Sequence, residues 1–120
     1  MLKVGECLLE YAEKGGWTYS RAIQQAMCDI AEEYGDSTIF MGEDMEVAGA
    51  FGMNIPLKAN GHQEKLLDMP LCEAVIIHSA TGAALAGMRP MAEIQFGGFA
   101  ALAHNALSVS YTHLRAHETR

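Results

Sequence analysis

Three short apolar runs, Thr38 to Met41, Leu66 to Met69 and Pro90 to Phe96, lack the in-and-out alternation of a strand with one wet face, and helical patterns lie between them. Strands of that kind are buried on both sides. When each is followed by a helix, the connections become right-handed crossovers and the strands run parallel. The expected fold is therefore α/β, a doubly wound parallel sheet. The flanking patterns agree. Thr18 can cap a helix in which Ala22, Ile23, Ala26, Met27, Ile30 and Ala31 recur at three- and four-residue spacing until Tyr34-Gly35-Asp36 stops it. A second helix runs from about Cys72 to Ala86, almost wholly apolar, and ends at Gly87. Gly42 to Gly52 reads as a glycine-rich loop. Ahead of all this, Leu2 to Lys14 has a loosely amphipathic pattern closed by Gly15-Gly16, so residues 1–16 are expected to be a lead helix and linker.

With 120 residues, half of them apolar, the chain has room for one core and not two. The formal net charge of −7 and the absence of basic runs argue against nucleic acid or an anionic membrane surface as a partner. No apolar stretch approaches the roughly 20 residues of a membrane span, and Lys3 and Glu6 stand where a signal peptide would be apolar. A reducing, cytoplasmic compartment is expected. Cys7, Cys28 and Cys72 are too few and too widely spaced for a disulfide framework or a CxxC site, and read as small apolar fillers.

The pattern breaks at Ser108. Val109 to Thr119 (VSYTHLRAHET) has neither helical nor strand period, and resembles the conceptual translation of a transposon-end sequencing adapter. Residues 108–120 are therefore expected to be a non-native tail. His113 and His117, four apart, would otherwise suggest a helical metal pair; the adapter match removes that reading, and no metal site is expected.

Four blocks, TYSRAI at 18–23, MGED at 41–44, MPLCEA at 69–74 and GAALAGMRPMAEIQF at 82–96, appear in an order and spacing that resemble one family. It is the β subunit of the thiamine-diphosphate-dependent decarboxylating component of pyruvate, branched-chain 2-oxo acid or acetoin dehydrogenase complexes. The resemblance covers residues 17–107 and implies a transketolase-like pyrimidine-binding domain, truncated partway. Transketolase and deoxyxylulose-phosphate synthase share that domain and remain a weaker alternative. His104 and Asn105 depart from the acidic residue and Gln usual in the family.

The resemblance assigns roles residue by residue. Glu73 matches the carboxyl that bonds a ring nitrogen of the aminopyrimidine and so helps the thiazolium carbon lose its proton. From the residues alone Glu73 is already unusual, set among Pro70, Leu71, Cys72, Ala74, Val75, Ile76 and Ile77, where a charge is expensive unless partnered; a helix-capping carboxylate is the bland reading. Leu71, Gln95 and Phe99 match the wall around the pyrimidine, Phe99 stacking on the ring; for Phe99 the bland reading is a core aromatic. Glu43 matches a position near the active-site funnel. The loop GEDMEVAGAFG is no phosphate cradle, because Glu43, Asp44 and Glu46 would repel phosphate and no Lys-Ser/Thr follows. His78 and His62 are expected to be structural and solvated, respectively.

The family holds the diphosphate and magnesium on an α subunit, separate or fused, through a GDG motif that this chain lacks. The family's substrate-handling His and its docking surface for dihydrolipoyl acyltransferase are expected beyond Leu107. The chain by itself should thus be inactive, part of a heterotetramer acting on a small 2-oxo acid. The non-enzymatic alternative is a free-standing α/β interaction module in which Glu73 is a cap.

Overall fold

A computed structural model describes residues 18–109. The expected lead helix, and the tail from residue 110 onward, lie outside the described residues.

The first helix, α1 (Tyr19–Tyr34), starts at the expected cap: the Thr18 hydroxyl accepts the Arg21 N–H at 3.3 Å. Its end is fixed by Gly35, whose φ of 51° is open to glycine, and whose N–H returns to the Ala31 carbonyl. The Gly35 carbonyl in turn accepts the Lys65 ammonium at 2.9 Å, so a buried lysine ties the helix end to the segment before the next strand. On its inner face Met27, Cys28 and Ala31 pack with Phe40, Met45, Leu57 and Leu66 into one apolar cluster. Phe40, Met45 and Leu57 are completely buried there, each worth roughly 1.5–3 kcal/mol relative to exposure.

Strand β1 (Thr38–Gly42) is central, flanked by β2 (Leu66–Asp68) and β3 (Arg89–Ala92), and all three run parallel. Phe40 pairs with Leu66 on one side and Met91 on the other. The parallel α/β sheet expected from the apolar runs is therefore present. Between β1 and β2 lies α2 (Ile55–Ala59), a five-residue helix with no expectation behind it. Helix α3 (Glu73–Leu85) crosses from β2 to β3 and packs on β3 and β1. It begins and ends one residue inside the expected Cys72–Ala86. Strand β3 is shorter than expected. After Ala92 one bond persists, Glu93 N–H to the Met41 carbonyl at 2.8 Å, and the chain then turns through 3-10 geometry over Gly97–Ala103 into α4 (His104–Val109). Helix α4 carries Ser108 and Val109, the first two residues of the segment expected to be non-native.

The loop from Glu43 to Asn54 is not slack. The Asp44 carbonyl accepts the N–H groups of Val47, Ala48 and Gly49, and Asn54 N–H bonds the Ala48 carbonyl at 2.8 Å. The Glu46 N–H donates to the Asp68 carboxylate at 2.7 Å, and Lys58 Nζ donates to the Glu46 carbonyl at 2.6 Å. The loop leaving β1 is thus fastened to the end of β2 and to α2.

Candidate functional site

In a parallel sheet the strand ends on one side point to the same place, and crevices for ligands form outside the carboxyl ends. Each expected site residue follows such an end. Glu43 comes directly after β1; Leu71 and Glu73 follow β2; Gln95 and Phe99 follow β3. Three separate stretches of sequence are brought to one edge of the sheet by topology alone.

Glu73 is the first residue of α3 and is buried, 7% exposed. Its cap position, Cys72, has extended backbone and offers no side-chain bond to the helix. Glu43 is buried as well, at 8% exposure. Neither side chain has a hydrogen bond or an ion pair among the described residues. Burial pushes the Glu43 carboxyl above the ordinary carboxylate range, and the charges of Glu73 and then Asp44 push it the same way. Two buried carboxyl groups with no described cation partner thus stand at the same edge of the sheet, a feature more common at functional sites than elsewhere.

The remaining expected residues differ in where they lie, and the cavity that Gln95 lines includes neither Glu43 nor Glu73. Leu71 is 82% exposed, so it contributes an apolar surface open to a ligand or a partner and does not serve the core. Gln95 lines a cavity of about 350 Å³ between α1, β1, the loop and the stretch after β3, together with Met27, Met45, Phe51, Met91 and others. Phe99 is 41% exposed, which sets aside the core reading for its ring. It packs edge-on against Phe96, centroids 5.4 Å apart, and Phe96 packs edge-on against Phe51 at 5.8 Å.

Two members of this neighbourhood were not expected. Glu93 lies so close to the end of β1 that a Cβ on Gly42 would meet its Cβ at 3.0 Å and its carbonyl at 3.2 Å, so the crossing is tight and favours glycine. Phe51 is the other, a bulky residue at φ 56° flanked by Gly49 and Gly52, themselves at positive φ. The glycine spacing in GAFG was the available signal. His78 is exposed on α3 and takes no part. Among the described residues no group of three His, Cys, Asp or Glu side chains could hold a metal, and no helix is long and apolar enough to cross a membrane.

A parallel α/β sheet with buried carboxyl groups and an exposed aromatic at its carboxyl edge defines a ligand-binding domain of the doubly wound class. Comparison with known families gives the class its name. Residues 16–117 match the family described as the transketolase pyrimidine-binding domain, and the chain belongs to that family. Among curated proteins it is 36% identical, over 86% of its own length, to the pyruvate dehydrogenase E1 component subunit beta of Acholeplasma laidlawii, covering 29% of that protein. It is 39% identical, over 68% of its length, to the 2-oxoisovalerate dehydrogenase subunit beta of Bacillus subtilis, covering 25% of it. Against the 3-methyl-2-oxobutanoate dehydrogenase subunit beta of Mycobacterium tuberculosis the identity is 35%, over 86% of this chain and 29% of the relative. The chain therefore spans less than a third of the length of these relatives.

Proposed function

We propose that this chain is the pyrimidine-binding part of a 2-oxo acid dehydrogenase β subunit, and that Glu73 is its catalytic carboxyl. The observation that carries the reading is the pair of buried carboxyl groups, Glu43 and Glu73, following adjoining strands at the edge of the sheet where the exposed ring of Phe99 follows the third. The residues present fit the aminopyrimidine half of thiamine diphosphate. Glu73 offers a carboxyl whose bonding capacity no described side chain uses, and Phe99 and Leu71 offer apolar surface where a flat ring can lie. For the diphosphate the fit is poor, since the adjoining loop carries Glu43, Asp44 and Glu46, and among the described residues no group of three His, Cys, Asp or Glu side chains could hold its magnesium; we assign both to an α subunit, separate or fused.

When bound, thiamine diphosphate supplies an acidic thiazolium carbon that attacks 2-oxo groups. Glu73 would hold a proton against the pyrimidine nitrogen and share it as the ring changes tautomer. Glu43, kept protonated further up the pH scale by burial and by Glu73, would place a second exchangeable proton on the approach to it. Gln95 would orient the ring edge. Substrates of the whole enzyme would be small 2-oxo acids, with acyl transfer to the lipoyl groups of a dihydrolipoyl acyltransferase, in a reducing cytoplasmic setting that suits the free thiols of Cys28 and Cys72.

The test is Glu73→Gln in the β subunit assembled with its α partner. Glutamine keeps the volume and can still hydrogen-bond the ring, but it cannot share a proton. Cofactor binding should persist while proton exchange at the thiazolium carbon slows by on the order of 10²- to 10⁴-fold. Near-normal exchange with a loss of several degrees in Tm would make Glu73 a structural cap and refute the assignment.

A further inference from the structure

Phe51 is held in a conformation that its own burial does not explain. A β-carbon bearing a bulky ring is disfavoured at φ 56°, ψ 26°, and the side chain is 81% exposed, so little apolar surface leaves water in return. Within the described residues its one aromatic neighbour is Phe96, met edge-on at 5.8 Å. Phe96 in turn meets Phe99 edge-on at 5.4 Å, and the Phe99 N–H bonds the Phe96 carbonyl at 2.9 Å.

The two ends of this chain of rings are anchored differently. The Phe51 corner is fixed to the core, because Gln24 Nε2 on α1 donates to the Gly52 carbonyl at 3.0 Å, and the loop behind it is bonded to β2 and α2. Phe96 and Phe99 sit past the end of β3, where no sheet ladder holds the backbone. The segment of Phe99 leans on α3 and α4, and the ring of Phe96 has Phe51 as its aromatic contact on the side of the loop.

We propose that Phe51 is a positioning residue: braced against α1 in a left-handed conformation, it presses on Phe96 and so sets the angle at which Phe99 meets a bound pyrimidine ring. The proposal rests on the ring-wall role given to Phe99 under Proposed function. It also gives the loop after Glu43 a task, since the same loop carries the second carboxyl at one end and the ring brace at the other.

The chain has four phenylalanines, so incorporation of 4-fluorophenylalanine gives four fluorine resonances, with fully buried Phe40 as an internal reference. Phe51→Gly removes the ring and relieves the backbone, so the variant should fold; Phe51→Tyr keeps the ring. In Phe51→Gly the Phe96 and Phe99 resonances should shift or broaden while Phe40 stays, and Phe51→Tyr should restore them. Titration with 4-amino-2,5-dimethylpyrimidine should then show binding weakened by roughly 2- to 10-fold in Phe51→Gly, the worth of one edge-to-face pair, and little changed in Phe51→Tyr. Unmoved Phe96 and Phe99 signals would overturn the brace, and movement of Phe40 with them would make Phe51 a general packing residue instead. If the unsubstituted chain bound no pyrimidine while the fluorine coupling held, the ring-wall reading would fall and not the coupling of Phe51 to Phe99.

Discussion

Glu43 and Glu73 are both buried where the chain leaves neighbouring strands, and the Glu73 charge raises the cost of ionising Glu43. The relationship has a sign that can be measured. Burial first, and Glu73 second, lift the Glu43 carboxyl above its value in the unfolded chain, so the native state holds this proton more firmly. Its contribution to stability is present at low pH and is lost as pH rises through the folded-state value. Glu43→Gln should therefore flatten the decline in Tm between the ordinary carboxylate range and neutrality, and melt a few degrees higher at pH 7 to 8. An unchanged slope would show that the native state does not hold the Glu43 proton more firmly than the unfolded chain does.

Gly49 stands at φ 69°, and a Cβ there would collide with the Asn54 side-chain amide. Asn54 is fully buried and has little room to retreat, its Nδ2 lying 3.3 Å from the Met45 carbonyl that accepts from it. Gly49→Ala should thus combine backbone strain with a steric clash and destabilise by about 1–3 kcal/mol. Urea midpoints would show it. An effect within a few tenths would mean that the loop relaxes freely and does not hold Glu43 and Phe51 in place.

Large apolar side chains remain in water: Leu71 at 82%, Leu85 at 68% and Leu102 at 65% exposure, beside a β3 whose outer edge pairs with no strand among the described residues. Such surfaces bind apolar dyes and promote association. The isolated chain should bind anilinonaphthalene sulfonate and self-associate with rising concentration; a dye-silent monomer with a sharp melt would contradict this.

Ending the chain at Leu107 should leave the melt unchanged or improved. Of the described residues only Ser108 and Val109 are removed, and both are exposed, so little packing is lost. A clear loss of folding would mean that residues 108–120 belong to the domain.

Much of this architecture was legible because single residues carry strong local signals. Thr18 and Gly35 bracket α1, and the unalternating runs located all three strands. Helix α2 was not legible: five residues give no period, Asn54 makes no side-chain cap, and Pro56 reads as a breaker although the first turn tolerates it. The expected continuation of β3 to Phe96 failed for a different reason, since Ile94 to Phe96 is apolar enough for a strand but finds no neighbour to pair with. The positions of Glu43 and Glu73 along the chain were legible from the motif blocks, whereas their mutual burial depends on a sheet register that no short window of residues encodes. Phe51 escaped because a strained aromatic looks, in one dimension, like any loop residue.

The sheet order also sets a timetable for synthesis. Strand β1 comes first from the ribosome, yet Phe40 must wait for Leu66 and then for Met91 before its two flanks are paired. The loop behind Glu43 needs only α2 and β2 for the bonds from Lys58 and to Asp68 that hold it. The last ladder to close is the one that delivers Gln95 and Phe99, so the binding edge is completed late, and a nascent chain stalled near Ala92 would carry the carboxyls and Leu71 without those two residues.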